Sequence, residues 1–88
     1  MRRPLVFALV MMLGTTAAWA DDIADCNQSR NLDLTISGCS KLIKSKRFKT
    51  QFNKKNRASA YYNRGIVYLK KGEFDRAIAD FDRAIALN

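Results

Sequence analysis

The stretch from Ala58 to Asn88, ASAYYNRGIVYLKKGEFDRAIADFDRAIALN, constrains this chain most, because it reads as two amphipathic helices joined by a sharp turn. Tyr61, Gly65 and Tyr68 recur at i, i+4 and i+7, so they share one helical face. Lys70 and Lys71 put cations where a helix ends in partial negative charge, and Gly72 then supplies a residue that adopts left-handed backbone without steric cost. Glu73 and Asp75 open a second helix with the sign its positive end favours, and Phe74, Ala77, Ile78, Phe81, Ala84 and Ile85 form its apolar stripe. The pattern predicts an antiparallel pair. Gly65 and Ala77 are small where two backbones approach closely, and Tyr68 and Phe81 are expected to face each other in the wider space alongside.

These positions resemble the tetratricopeptide repeat, whose pattern runs aromatic, Gly, Tyr in the first helix and Ala, Phe or Tyr, Ala in the second. Tyr61, Gly65, Tyr68, Ala77, Phe81 and Ala84 hold those places and form the expected repeat core. The resemblance implies an all-α fold built as a helix-turn-helix repeat array, here about one and a half to two repeats over residues 21–88. It also implies binding rather than catalysis. In this family the first helices line a concave groove that holds peptides or extended segments of other proteins. Carried onto this chain, the partner-binding stripe is Ser59, Tyr62, Asn63, Ile66 and Lys70. Some members grip a C-terminal carboxylate with Lys and Asn on this stripe. Tyr62 and Ile66 stand in those places here, so that clamp is not implied.

Composition sharpens the exclusion of chemistry. The chain has no histidine, which removes the usual general base and the commonest metal ligand. No Ser-His or Cys-His pair and no Gly-rich phosphate loop is present, so the expectation is no enzyme activity, no metal and no cofactor. Residues 1–20 read as a secretory signal peptide: Arg2 and Arg3 precede an apolar run that ends in Ala18-Trp19-Ala20, with small residues where cleavage requires them. Export, to the periplasm of a Gram-negative bacterium, is the expected localisation. The run is shorter than the roughly 20 residues of a membrane span, so no stable transmembrane segment is expected after cleavage.

Shifting the second helix of the repeat back by 42 positions places Leu32, Asp33, Ile36, Cys39, Leu42 and Ile43 under Phe74, Asp75, Ile78, Phe81, Ala84 and Ile85. Residues 21–45 therefore read as an earlier, degenerate hairpin, with Leu32 to Lys44 as its second helix and Gly38 as a weak point costing about 1 kcal/mol against Ala. The same shift puts Cys26 under Tyr68, so Cys26 and Cys39 are expected to be neighbours. An export signal and an even cysteine count then favour a structural disulfide between them. A redox-active pair or a metal site is the weaker alternative, because neither cysteine belongs to a C-x-x-C motif.

The offset exceeds the usual repeat of roughly 34 residues, and the excess falls in residues 46–56, expected to be a basic linker or helix extension. Net charge is +8, and no acidic residue occurs from Leu34 through Gly72. With Phe48 and Phe52 interleaved, this segment suits an acidic protein or an anionic envelope surface; nucleic acid is the least favoured partner, since export separates the chain from it. The leading reading of the segment, however, is a solvated linker whose phenylalanines cover the hairpin. Asp75, Asp80 and Asp82 with Arg76 and Arg83 read as a solvent face, Arg76 reaching Asp80 at i, i+4. The outer face of Phe74, Ile78 and Ile85 lacks a covering helix, and the sequence stops at Asn88 before the proline the family places soon after. Truncation of a longer array, self-association through that face, or docking on a partner would each account for it. The leading expectation is an exported protein-interaction module; the alternative is a small secreted cationic protein, stapled by a disulfide, that binds anionic membrane.

Overall fold

The computed structural model describes residues 20–87; the signal-peptide reading, apart from Ala20, lies outside the described residues. Among the described residues five helices follow one another: α1 over residues 20–27, α2 Leu32–Lys44, α3 Lys46–Gln51, α4 Lys54–Lys70 and α5 Phe74–Leu87. Helices α4 and α5 pack as an antiparallel pair, and α2 packs on α4. The fold is all-α, as the periodicity and the resemblance implied.

Local chemistry fixes each boundary. Asn31 caps α2 by accepting from the Leu34 N–H at 3.1 Å. Gln28 organises the preceding turn, its Oε1 accepting from the Arg30 and Asn31 N–H groups at 2.8 and 2.9 Å. Ser45 ends α2 and starts α3, accepting from the Arg47 N–H. Asn53 caps α4 by accepting from the Asn56 N–H at 2.8 Å. At the other end of α4, Gly72 takes φ 78° while Gly72 N–H donates to Leu69 O and Glu73 N–H to Tyr68 O. That is the six-to-one and five-to-two closure that a left-handed residue permits.

The core contains Cys26, Cys39, Leu42, Phe48 and Ala60, with Ile23, Ile43, Phe52 and Tyr61 packed against it. The basic linker is thus partly structural: α3 turns Phe48 inward until 3% of it is exposed, its ring 5.6 Å from Phe52 and 5.9 Å from Tyr61. A phenylalanine so placed is not available to stack on a ligand.

Two expectations change and one is met. First, Gly38 is no weak point: a Cβ there would lie 2.6 Å from Asp25 Cβ and 2.8 Å from both Asp22 O and Cys26 N. Only glycine lets α2 come this close to α1. Second, the outer face of α5 is bare as expected, with Phe74, Ile78 and Ile85 exposed while Ala77 and Ala84 are buried and Phe81 half-buried. Third, Phe81 lies over Gly65, at 2.7 Å from where a Cβ would stand, with its ring 5.8 Å from Tyr62, whereas Tyr68 is covered by Arg64 and Arg76. The space above Gly65 draws the Phe81 ring toward α4, and two guanidinium groups cover the tyrosine face instead.

Candidate binding surfaces

Helix α4 carries the stripe expected to meet a partner, and its register determines what each residue reaches. Ser59 and Tyr62 lie on an open cleft of about 320 Å³ that α5 completes with Ala84 and Ile85. Tyr62 is 53% exposed, so its ring is held on one side by Phe81 and is open on the other. Ser59 also borders a second cleft, of about 470 Å³, between α1 and α4, where Ile23, Asn27 and Asn56 contribute. Asn63 is already engaged: its Nδ2 donates to Cys26 O and to Asn27 Oδ1, both at 3.2 Å, which fixes α1 against α4. Ile66 is half-buried and Lys70 exposed. Of the stripe, Ser59 and Tyr62 share a recess, while Asn63 spends its donor on the neighbouring hairpin.

Cys26 and Cys39 are bonded to each other, with Cα atoms 4.5 Å apart, and both are buried. A bridge this short and the glycine at 38 belong together, since each requires α1 and α2 to touch backbone to backbone.

The charges read as a solvent face include one enclosed pair that sequence reasoning missed. Asp80 is 3% exposed and accepts from Arg64 through both oxygens at 2.8 Å, while Arg76 pairs with Glu73 at 3.2 Å instead. The signal was the seam itself. Arg64 sits three residues after Tyr61 and four before Tyr68, and Asp80 occupies the same place between Ala77 and Ala84. The hydrogen bond to Asp80 raises the Arg64 pKa above its usual value, against the opposing effect of burial. Lys71 is likewise held charged, first by its hydrogen bond to Asp33. Both therefore leave the free basic surface, which includes the exposed Lys46, Lys49, Lys54 and Lys55 of α3 and the start of α4. Among the described residues no helix is long and apolar enough to cross a membrane.

Antiparallel α4 and α5, a small-residue seam and a left-handed glycine between them make a single repeat unit. The family profile described as Tetratricopeptide repeat matches residues 58–88. This segment is a tetratricopeptide repeat. Searches of curated proteins and of solved structures found no match. Tetratricopeptide repeats are protein-interaction modules, and the repeat core places Gly65, Tyr68, Ala77 and Ala84 in the interior, with Tyr61 and Phe81 half-buried at its margin.

Proposed function

We propose that the chain is an exported, non-catalytic scaffold that holds a peptide or an extended segment of a partner protein against α4. The observation that carries this reading is the recess beside Tyr62, where an exposed aromatic ring stands over an apolar wall from α5. Rigid aromatic surface at the mouth of a pocket is the usual anchor of a protein contact. Export is supported by the arginine pair, the apolar run and the Ala-Trp-Ala ending of residues 1–20, and the Cys26–Cys39 bond suits the oxidising periplasm such a signal leads to. Residues 21–45, with α1 against α2, serve as a degenerate first repeat, and the 57–88 hairpin as the second.

A photoreactive amino acid in place of Tyr62, expressed with the native leader, tests the scaffold. Crosslinking to one polypeptide in the periplasmic fraction, absent when the probe replaces exposed Lys41, is the expected result. Retention of the chain in the cytosol would remove the export reading, and no crosslink would remove the groove.

The exposed lysines of α3 and the start of α4 favour a second reading, adhesion to anionic membrane. Leakage from vesicles rich in anionic lipid, suppressed by salt, would support it. The bare Phe74, Ile78 and Ile85 face would pair two copies if the protein self-associates, which sedimentation at rising concentration detects.

A further inference from the structure

A separate cleft of about 210 Å³ opens between α3, the start of α4 and the end of α5, on the side of α4 away from Ser59 and Tyr62. Lys49, Arg57 and Arg83 stand around it, and Phe48, Ala86 and Leu87 supply apolar lining. The Arg83 guanidinium lies 5.8 Å over the Tyr61 ring, which fixes it at the edge of the recess. Arg57 is half-buried, and its Nε is enclosed with no hydrogen-bond acceptor among the described residues. A buried donor is disfavoured unless something accepts from the group.

Among the described residues none of these three cations takes part in a salt bridge. No acidic residue occurs from Leu34 through Gly72, and Asp80 of α5 is committed to Arg64. We propose that this cleft binds a carboxylate carried on an apolar body, in the form of an acidic peptide segment with Glu or Asp beside Leu or Phe. Guanidinium groups match a carboxylate's two oxygens, and the apolar walls both strengthen that attraction and reward an apolar neighbour. At roughly 30 Å³ per water the space holds about seven, which is room for one side chain and its charged group rather than a long segment. One wall is α3, the residues by which this chain exceeds the ordinary repeat length, so the cleft is distinct from the groove of α4. The inference rests on the protein-binding reading, because a partner protein is the source of the carboxylate.

The test is a titration of the ¹⁵N-labelled chain, following the arginine Nε–H signals, with N-acetyl-leucine, its amide, acetate, inorganic phosphate and an end-blocked Leu-Glu-Leu peptide. The expected result is that N-acetyl-leucine or the blocked peptide shifts Arg57 and Arg83, the stronger of the two showing whether a chain end or a side chain is preferred. Affinity should fall about tenfold in Arg57→Gln and in the exposed-site variant Lys49→Gln, fall with added salt, and stay unchanged in Tyr62→Ala. Equal shifts with the amide, equal or stronger shifts with phosphate, or no shift at Arg57 would overturn it. If Tyr62 crosslinks persist while the cleft is silent, the inference fails and the scaffold stands. If the cleft responds while Tyr62 captures nothing, the groove reading fails instead.

Discussion

Arg64 and Asp80 form a two-pronged ion pair across the repeat, with Nε and one terminal nitrogen of the arginine each donating at 2.8 Å to a different carboxylate oxygen. The remaining terminal nitrogen donates to Ser40 Oγ at 3.0 Å, so one side chain joins α4 to α5 and to the preceding α2. The Tyr61 and Tyr68 rings lie 5.9 and 5.7 Å from the guanidinium carbon and complete its surroundings. The register between the two hairpins is therefore set by directional bonds as well as by apolar contact, and a helix slipped by one turn would leave an enclosed charge unpaired.

Breaking that pair from one side should be costly. Asp80→Asn leaves the guanidinium without its partner and is expected to lower unfolding free energy by about 3 kcal/mol, the low end for a buried pair because the Arg64 side chain is 18% exposed. Arg64→Met with Asp80→Leu removes both charges and should recover at least half of that loss in urea titrations. A double variant as weak as Asp80→Asn would show that the charges themselves stabilise the fold.

The two interior glycines should respond unequally to alanine. At Gly38 the new Cβ meets backbone at 2.8 Å, which cannot yield without parting α1 from α2, so Gly38→Ala should destabilise by about 1–3 kcal/mol despite alanine's better helix propensity. At Gly65 the nearest atoms belong to the half-buried Phe81 ring, which can swing outward, and the loss should be smaller. A stabilised Gly38→Ala variant would rule out the close approach.

What the sequence made legible was the hairpin of α4 and α5 and the exact span of α2, because caps, Gly72 and the apolar period act through near neighbours. The enclosed Arg64–Asp80 pair was obscured by residue type, since charges with neighbouring charges look solvated until a seam is followed across two helices. Gly38 was misjudged for a related reason: helix propensity is a local cost, whereas the contact that requires glycine comes from α1, more than ten positions earlier. That Phe48 covers the hairpin was legible as an apolar residue in a basic run, but its full enclosure depends on the turn at Ser45, which starts α3 and rotates the ring into the core. Ser59, Tyr62, Asn63, Ile66 and Lys70 follow the helical period along α4, yet Asn63 there is bonded to α1, a contact that needs the hairpin stacking to be seen.

The Cys26–Cys39 bond closes a short loop with a separation of 13 and should contribute roughly 3 kcal/mol. Protein purified without reductant should weigh two hydrogens less than its dithiol form and take up no alkylating reagent before reduction. Cys26→Ser with Cys39→Ser should lower the urea midpoint and free the α1 amides to exchange first. Two reactive thiols in the protein so purified would contradict the bond.

Lys71 gives a pH dependence of known sign. Its pKa is raised by Asp33, so the stability this exposed pair adds is fully present below the ordinary lysine value and is lost as pH rises through the elevated one. The difference in stability between the natural chain and Lys71→Met should be constant from about pH 6 to about pH 9 and shrink above that. Shrinkage beginning near neutrality would mean another group is responsible.

The strongest test of α3 as architecture rather than linker is Phe48. Its side chain is enclosed and stands between Phe52 and Tyr61, so Phe48→Ala should cost about 3–5 kcal/mol, a large share of what a domain this small possesses. Phe52 is only half-buried, and Phe52→Ala should cost clearly less. Urea titrations with the disulfide intact compare the two, and amide exchange in α3 shows whether that helix detaches first. If both variants lose equally little, α3 is only a charged connection, and the cleft it shares with Arg57 and Arg83 loses its wall. If Phe48→Ala alone loosens α3 while α4 and α5 keep their protection, the inserted residues are an added layer on an intact repeat.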